Sequence, residues 1–254
     1  LTTGGYIKRT NPDEYKKQKR GGVGVVDLDT KDEDFVTTFL TATMHSDVLF
    51  FTDKGKAYQV KMYELPEGKR ATKGKSIMNF LSVDSTEKVT SVLAMPKEAK
   101  KLSLSLLMIT KNGVAKRVDA EAFHDVRRSG LIAITLQEGD ELKAVSFCAP
   151  DDEAIIATSK GQSIRFKEDD IRVMGRGAAG VRAIKLGKGD SVVGADVIKK
   201  DAKNPAFLVV SQNGYGKKTD LGEYKTQNRG GSGIKTMKVT SKTGDIIASK
   251  VITE

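Results

Sequence analysis

The sequence predicts an all-β fold, a propeller-like array of repeated four-stranded blades, and three observations lead there. Five glycines, Gly5, Gly55, Gly113, Gly161 and Gly214, stand 50, 58, 48 and 53 residues apart, a period in the range of propeller and solenoid repeats. Each sits in the same frame. A hydroxyl lies three residues before it (Thr2, Thr52, Thr110, Thr158, Ser211) and an acid eight or nine after (Glu14, Glu64, Glu121, Asp170, Glu223). An arginine follows at fifteen (Arg20, Arg70, Arg128, Arg176, Arg229), and a glycine at nineteen in four repeats (Gly24, Gly74, Gly180, Gly233), the third being two residues short at Gly130. Finally, the apolar residues come in short runs with no long helical periodicity, as buried strands do.

In chain order, the first repeat (about 1–43) carries the return strand Tyr6-Ile7-Lys8-Arg9 and then Gln18-Lys19-Arg20-Gly21-Gly22-Val23-Gly24. There, glycines beside cations and an amide let backbone N–H groups and charges approach an anion together. The second repeat (44–101) opens on Val48-Leu49-Phe50-Phe51, turns at Gly55 and returns through Lys56-Ala57-Tyr58-Gln59. The third (102–150) and fourth (151–203) do the same through Leu106–Ile109 with Val114–Arg117, and Ala154–Ala157 with Ser163–Phe166. The fifth (204–254) uses Phe207–Val210 and Tyr215–Lys218. Asn112-Gly113 and Asn213-Gly214 predict type I′ hairpins, with both central residues at positive φ. In the third, fourth and fifth repeats, acidic turns at Gly139-Asp140, Gly189-Asp190 and Gly244-Asp245 lead to the next strand. Because each repeat needs its neighbours to bury a face, residues 1–254 read as one domain. Leu1-Thr2-Thr3 enters a repeat midway, so an upstream part is expected to be missing. A further anchor glycine is due about one period beyond Gly214, so the last blade is expected to be incomplete.

Lysine and arginine outnumber aspartate and glutamate by 43 to 33, a net charge of +10 and a pI near 9.4, which favours a polyanionic partner. On a radial repeat, equivalent cations form a belt. The second strands contribute Lys8, Arg9, Lys116, Arg117, Arg165, Lys217 and Lys218, and the loops after the acids contribute Arg70, Lys73, Lys75, Arg127, Arg128, Arg172, Arg176 and Arg229. One cysteine, Cys148, rules out an internal disulfide framework. The two histidines, His45 and His124, are too few for a metal cluster or a histidine-based triad. Gly175-Arg176-Gly177-Ala178-Ala179-Gly180 has dinucleotide-fingerprint spacing but falls on the repeated loop, with no βαβ unit around it. The residues form no catalytic constellation, and the longest apolar run is far too short for a membrane helix.

With these motifs in place, the chain resembles the C-terminal domains of DNA gyrase A subunits over essentially its whole length. The resemblance rests on the repeated Thr-x-x-Gly turn, Tyr63-Glu64-Leu65-Pro66, Ile171-Arg172-Val173-Met174-Gly175-Arg176 and Gln212-Asn213-Gly214-Tyr215-Gly216-Lys217. Its most specific element is Gln18–Gly24, which resembles the gyrase A box; Lys19 and Val23 stand where the family usually has an arginine and a basic residue. The resemblance implies a β-pinwheel, six-bladed in the family, that binds, bends and wraps double-stranded DNA around a basic rim. It implies a non-catalytic module that presents a DNA crossing to the gyrase core for ATP-dependent negative supercoiling. No cofactor is implied in this domain, ATP and magnesium being used elsewhere in the parent enzyme. The implied partners are the remainder of the A-type subunit, with the B-type subunit, in an A2B2 assembly. The implied setting is the bacterial cytoplasm and nucleoid, with no membrane contact and a monomeric isolated domain. Two readings stay beside it: a topoisomerase IV-type module that positions DNA without full wrapping, and a protein-interaction propeller whose charge serves solubility.

Overall fold

The central runs of the repeats are continuously apolar because both faces of each strand are covered by neighbouring sheets. In the computed structural model, which describes residues 1–15, 24 and 34–253, the strands form five sheets. The first pairs β1 (Tyr6–Ile7) with β4 (Lys75–Ser76). The second runs β5 (Val89–Ala94), β2 (Asp47–Thr52), β3 (Lys56–Lys61), β8 (Leu131–Ile132). The third runs β9 (Leu142–Cys148), β6 (Ser105–Thr110), β7 (Val114–Asp119), β12 (Val181–Arg182). The fourth runs β13 (Val192–Ile198), β10 (Glu153–Thr158), β11 (Gln162–Lys167), β16 (Ile234–Lys235). The fifth is three-stranded: β17 (Ile246–Ile252), β14 (Ala206–Ser211), β15 (Gly216–Asp220). All pairings between these strands are antiparallel.

Neighbouring repeats exchange strands. In the first four sheets the outermost two-residue strand comes from the following repeat, so that β1 is edged by β4, β3 by β8, β7 by β12 and β11 by β16. At the other side, β5, β9, β13 and β17 pack on one another in sequence, which makes them the inner strands. Side chains then alternate between two cores. On β2, Val48 and Phe50 face the first sheet while Leu49 and Phe51 meet Leu106 and Met108 of β6. Leu107 and Ile109 in turn join Ala154 and Ile156 of β10, whose Ile155 and Ala157 pack on Phe207 and Val209 of β14.

The hydroxyl and glycine columns close the inner hairpins. Gly113 N–H donates to Thr110 C=O at 3.1 Å, and Val114 N–H to Thr110 Oγ1 at 3.1 Å. The turns are not type I′. Gly113 and Gly214 are at φ +80°, but neither Asn112 nor Asn213 is at positive φ; the loop is one residue longer, and only its last position, the glycine, takes the left-handed conformation. The later glycine column has a different cause. At Gly180, φ is +91° and a Cβ would stand 2.6 Å from Ala115 O, because β12 is laid there against β7 of the preceding repeat.

Candidate nucleic-acid interface

Strand exchange decides what the cation columns do. On the second strands of the first and third repeats, the lysine three after the anchor glycine points into the seam between that repeat and the next. Lys116 is fully buried, 0 % exposed, and its Nζ donates to Ala133 O at 2.8 Å and to Arg176 O. Burial lowers its pKa to about 8. Lys8 makes the matching contacts to Lys69 O, at 3.0 Å, and Arg70 O, and Lys217 Nζ donates to Thr236 O at 3.3 Å. Lys116 is therefore no part of an exposed belt. Its charge is met by carbonyls of its own and the next repeat.

The following position is tied across the same seam. Arg9 pairs with Glu67 at 2.9 Å and donates to Leu65 O at 3.0 Å. Arg117 pairs with Glu168 at 2.9 Å, with both side chains largely covered. Arg165 pairs with Glu153 and donates to Leu221 O at 2.7 Å and Tyr224 O at 3.2 Å. These arginines join repeats, and the belt expected from the sequence loses Arg9, Arg117 and Arg165 as freely presented charges. Lys218, on β15 at the fifth sheet, is exposed, as is the body of Lys217.

The arginines fifteen after the anchor run the opposite way, back to the acidic turn of the preceding repeat. Glu14 accepts from Arg70 N–H at 2.8 Å. Arg128 pairs with Glu64 at 2.6 Å, Arg176 Nη1 donates to Ala122 O at 3.0 Å, and Arg229 donates to Asp170 O at 2.8 Å and Arg182 O at 3.0 Å. Arg128 and Arg176 remain open to solvent, Arg128 with 68 % of its side chain exposed. An ion pair this exposed is worth about 0–1 kcal/mol, so an incoming phosphate competes for it at little cost. Arg127, Arg172, Arg176 and Lys75 are also exposed, Arg70 and Arg229 half-exposed, and Lys73 Nζ lies 4.2 Å over the Tyr6 ring.

Two further cations belong with them. Each later glycine is followed two residues on by the outer-strand position Ser76, Ile132, Arg182 or Lys235, and these four are register equivalents. Arg182 and Lys235 are exposed at the outer edges of their sheets. The glycine column held this signal in the sequence. In the box, Gln18, Lys19, Arg20, Gly21, Gly22 and Val23 lie outside the described residues. Gly24 is at φ +76°, and a Cβ there would meet no atom of the described residues within 4 Å.

Radial four-stranded sheets that exchange their edge strands, with arginine loops facing outward, define a β-propeller of the pinwheel kind. A family model described as "DNA gyrase C-terminal domain, beta-propeller" matches residues 1–43, 46–94, 104–149, 152–199 and 206–253. The chain belongs to this DNA gyrase C-terminal-domain family. It is 42% identical over 254 residues to the DNA gyrase A subunit of Lawsonia intracellularis (strain PHE/MN1-00), covering 100% of this chain and 31% of that protein. It is 40% identical over 253 residues to the DNA gyrase A subunit of Staphylococcus epidermidis (strain ATCC 12228 / FDA PCI 1200), covering 100% of this chain and 28% of that protein. The chain thus spans under a third of the length of these relatives. Among solved structures, a DNA gyrase A C-terminal domain superposes with a TM-score of 0.80 at 27% identity, covering 100% of this chain and 82% of that one. The C-terminal domain of a DNA topoisomerase IV superposes at 0.81 with 25% identity, covering 99% and 76%.

Proposed function

We propose that this chain binds double-stranded DNA without regard to base sequence and bends it around the outer edges of its sheets. In a full-length gyrase A subunit working with its B-type counterpart in an A2B2 assembly, the wrap presents a DNA crossing to the core for ATP-driven negative supercoiling. Cleavage and ATP hydrolysis belong to other parts of that enzyme, and this domain acts by binding. The carrying observation is the recurrence of solvent-reaching cations at equivalent outer positions of successive repeats: the exposed Arg128 and Arg176 and the half-exposed Arg229 on the loops, and the exposed Arg182 and Lys235 on the edge strands. A repeated row of cations on a curved body suits phosphates spaced along a bent duplex. Smooth bending of a short duplex costs roughly 1–6 kcal/mol, which several phosphate contacts offset.

Binding measured on unrelated duplexes of equal length is expected to give equal affinities that fall steeply with salt. With six to ten phosphates engaged, the loss between 50 and 200 mM salt is about 10³ to 10⁵. A flat salt response identifies a protein-interaction propeller instead, and strong preference for one duplex excludes this mode. The likeness to the topoisomerase IV domain favours a second reading, in which DNA is positioned but not fully wrapped. End-to-end energy transfer on a doubly labelled duplex separates the two, since only wrapping brings the ends together.

A further inference from the structure

Among the described residues, Lys116 is the cation whose side chain is wholly withdrawn from water. A buried amine is costly unless hydrogen-bonded, and both of its partners are carbonyls, Ala133 O of its own repeat and Arg176 O of the next. The loop carrying Arg176 is held to repeat three at further points: Met174 N–H donates to Arg117 O at 2.8 Å and Thr135 Oγ1 to Gly177 O at 2.9 Å. Lys8 repeats the clasp on the Arg70 loop. Where the seam has Tyr58 or Ile164 instead, a backbone N–H takes over. Ser82 N–H donates to Arg128 O at 3.4 Å, and Lys185 N–H to Gly231 O at 2.8 Å. Every arginine loop from the second repeat to the fifth is thus anchored by a backbone carbonyl, and in two seams a lysine does it.

We infer that Lys116 is a positioning residue for DNA: its buried amine fixes the backbone of the arginine loop so that Arg172 and Arg176 are presented to phosphate in an ordered state. This rests on the DNA-binding reading above. With the carbonyl tied down and only one guanidinium donor used on Ala122 O, the remaining donors of Arg176 are preorganised for an anion. Without the clasp, the loop must be ordered when DNA binds. Fixing one backbone residue costs about 1–2 kcal/mol, which is about tenfold in affinity.

The test uses Lys116→Met in the full 254-residue chain, read by amide hydrogen exchange and by duplex affinity at fixed salt. Exchange at residues 175–180 is expected to quicken, and affinity to fall about tenfold. In an Arg172→Ala/Arg176→Ala background the same substitution is expected to change affinity little, because the loop then has no guanidinium left to position. Unchanged exchange overturns the clasp, and an equal affinity loss in both backgrounds overturns the positioning role. If the arginine pair alone leaves affinity and salt slope unaltered, the DNA reading of this loop fails and takes the positioning role with it; the exchange data still judge the clasp. Should Lys116→Met not fold, Lys8→Met, at a half-buried site, is expected to quicken exchange at residues 69–74, and its failure to do so overturns the inference.

Discussion

At the scale of the residue, the burial of Lys116 has a consequence for stability that pH exposes. Its pKa falls from the ordinary 10.5 to about 8, because the folded chain withdraws the ammonium from water and supplies only carbonyls to meet it. Between pH 8 and 10.5 the unfolded chain still holds a proton that the folded chain has released. Stability therefore rises with pH across that window, and below it the charged amine costs the same at every pH. Urea unfolding at pH 7.5 and 9.5 is expected to show this gain in the native sequence and to lack it in Lys116→Met; an identical pH response in the two proteins rules Lys116 out as its source. Cys148 is the contrasting case: burial beside Asp152 pushes its thiol up to about 12, which leaves it an inert packing residue.

At the scale of the element, the outer strands are the simplest place to alter binding without disturbing the fold. Ile132 occupies on β8 the place that Arg182 has on β12 and Lys235 on β16, and it is 59 % exposed. If DNA tracks these edges, Ile132→Lys is expected to tighten duplex binding and to steepen the salt slope by about one, with little change in unfolding midpoint; an unaltered slope puts the path elsewhere. The elements themselves are legible in the sequence. The anchor glycines, hydroxyls and apolar runs locate the hairpins of repeats two to five, since a tight turn and a two-sided buried strand each demand a residue type at a fixed place. What periodicity cannot show is which way a column faces. Lys116, Arg117 and Arg165 recur like rim residues, yet recur because each seam between repeats needs the same ties. Only the pairing of β12 with β7, or β16 with β11, reveals that a residue distant in sequence covers them. Arg182 and Lys235 escape notice because a two-residue strand has too little pattern of its own, and only their shared place two residues after the later glycine marks them.

At the scale of the whole molecule, the box Gln18–Gly24 is set apart from the remaining cations by what wrapping asks of it. On the DNA-binding reading, bulk affinity is a sum over many phosphates, with Arg128, Arg172, Arg176, Arg182, Arg229 and Lys235 proposed to supply it from the repeats that follow. The box contributes only Lys19 and Arg20, so replacing its seven residues with alanine is expected to leave most of the affinity for a short duplex intact. Wrapping is not such a sum. A duplex bent over successive sheets stores its elastic energy along the whole path, and losing a contact at one end lets that end spring free while the rest stays bound. The box belongs to the first of the repeats described above, and its glycines are expected to let backbone N–H groups add to the two cations. In the isolated chain, the alanine variant is expected to bind a long duplex yet lose the approach of its ends seen by energy transfer. In the full-length enzyme it is expected to relax DNA but no longer introduce negative supercoils. Val23→Arg restores the third cation of the family pattern and is expected to strengthen the wrap. Supercoiling by the alanine variant at the native rate shows instead that the box is only a turn and that the loops and edge strands suffice to bend the duplex.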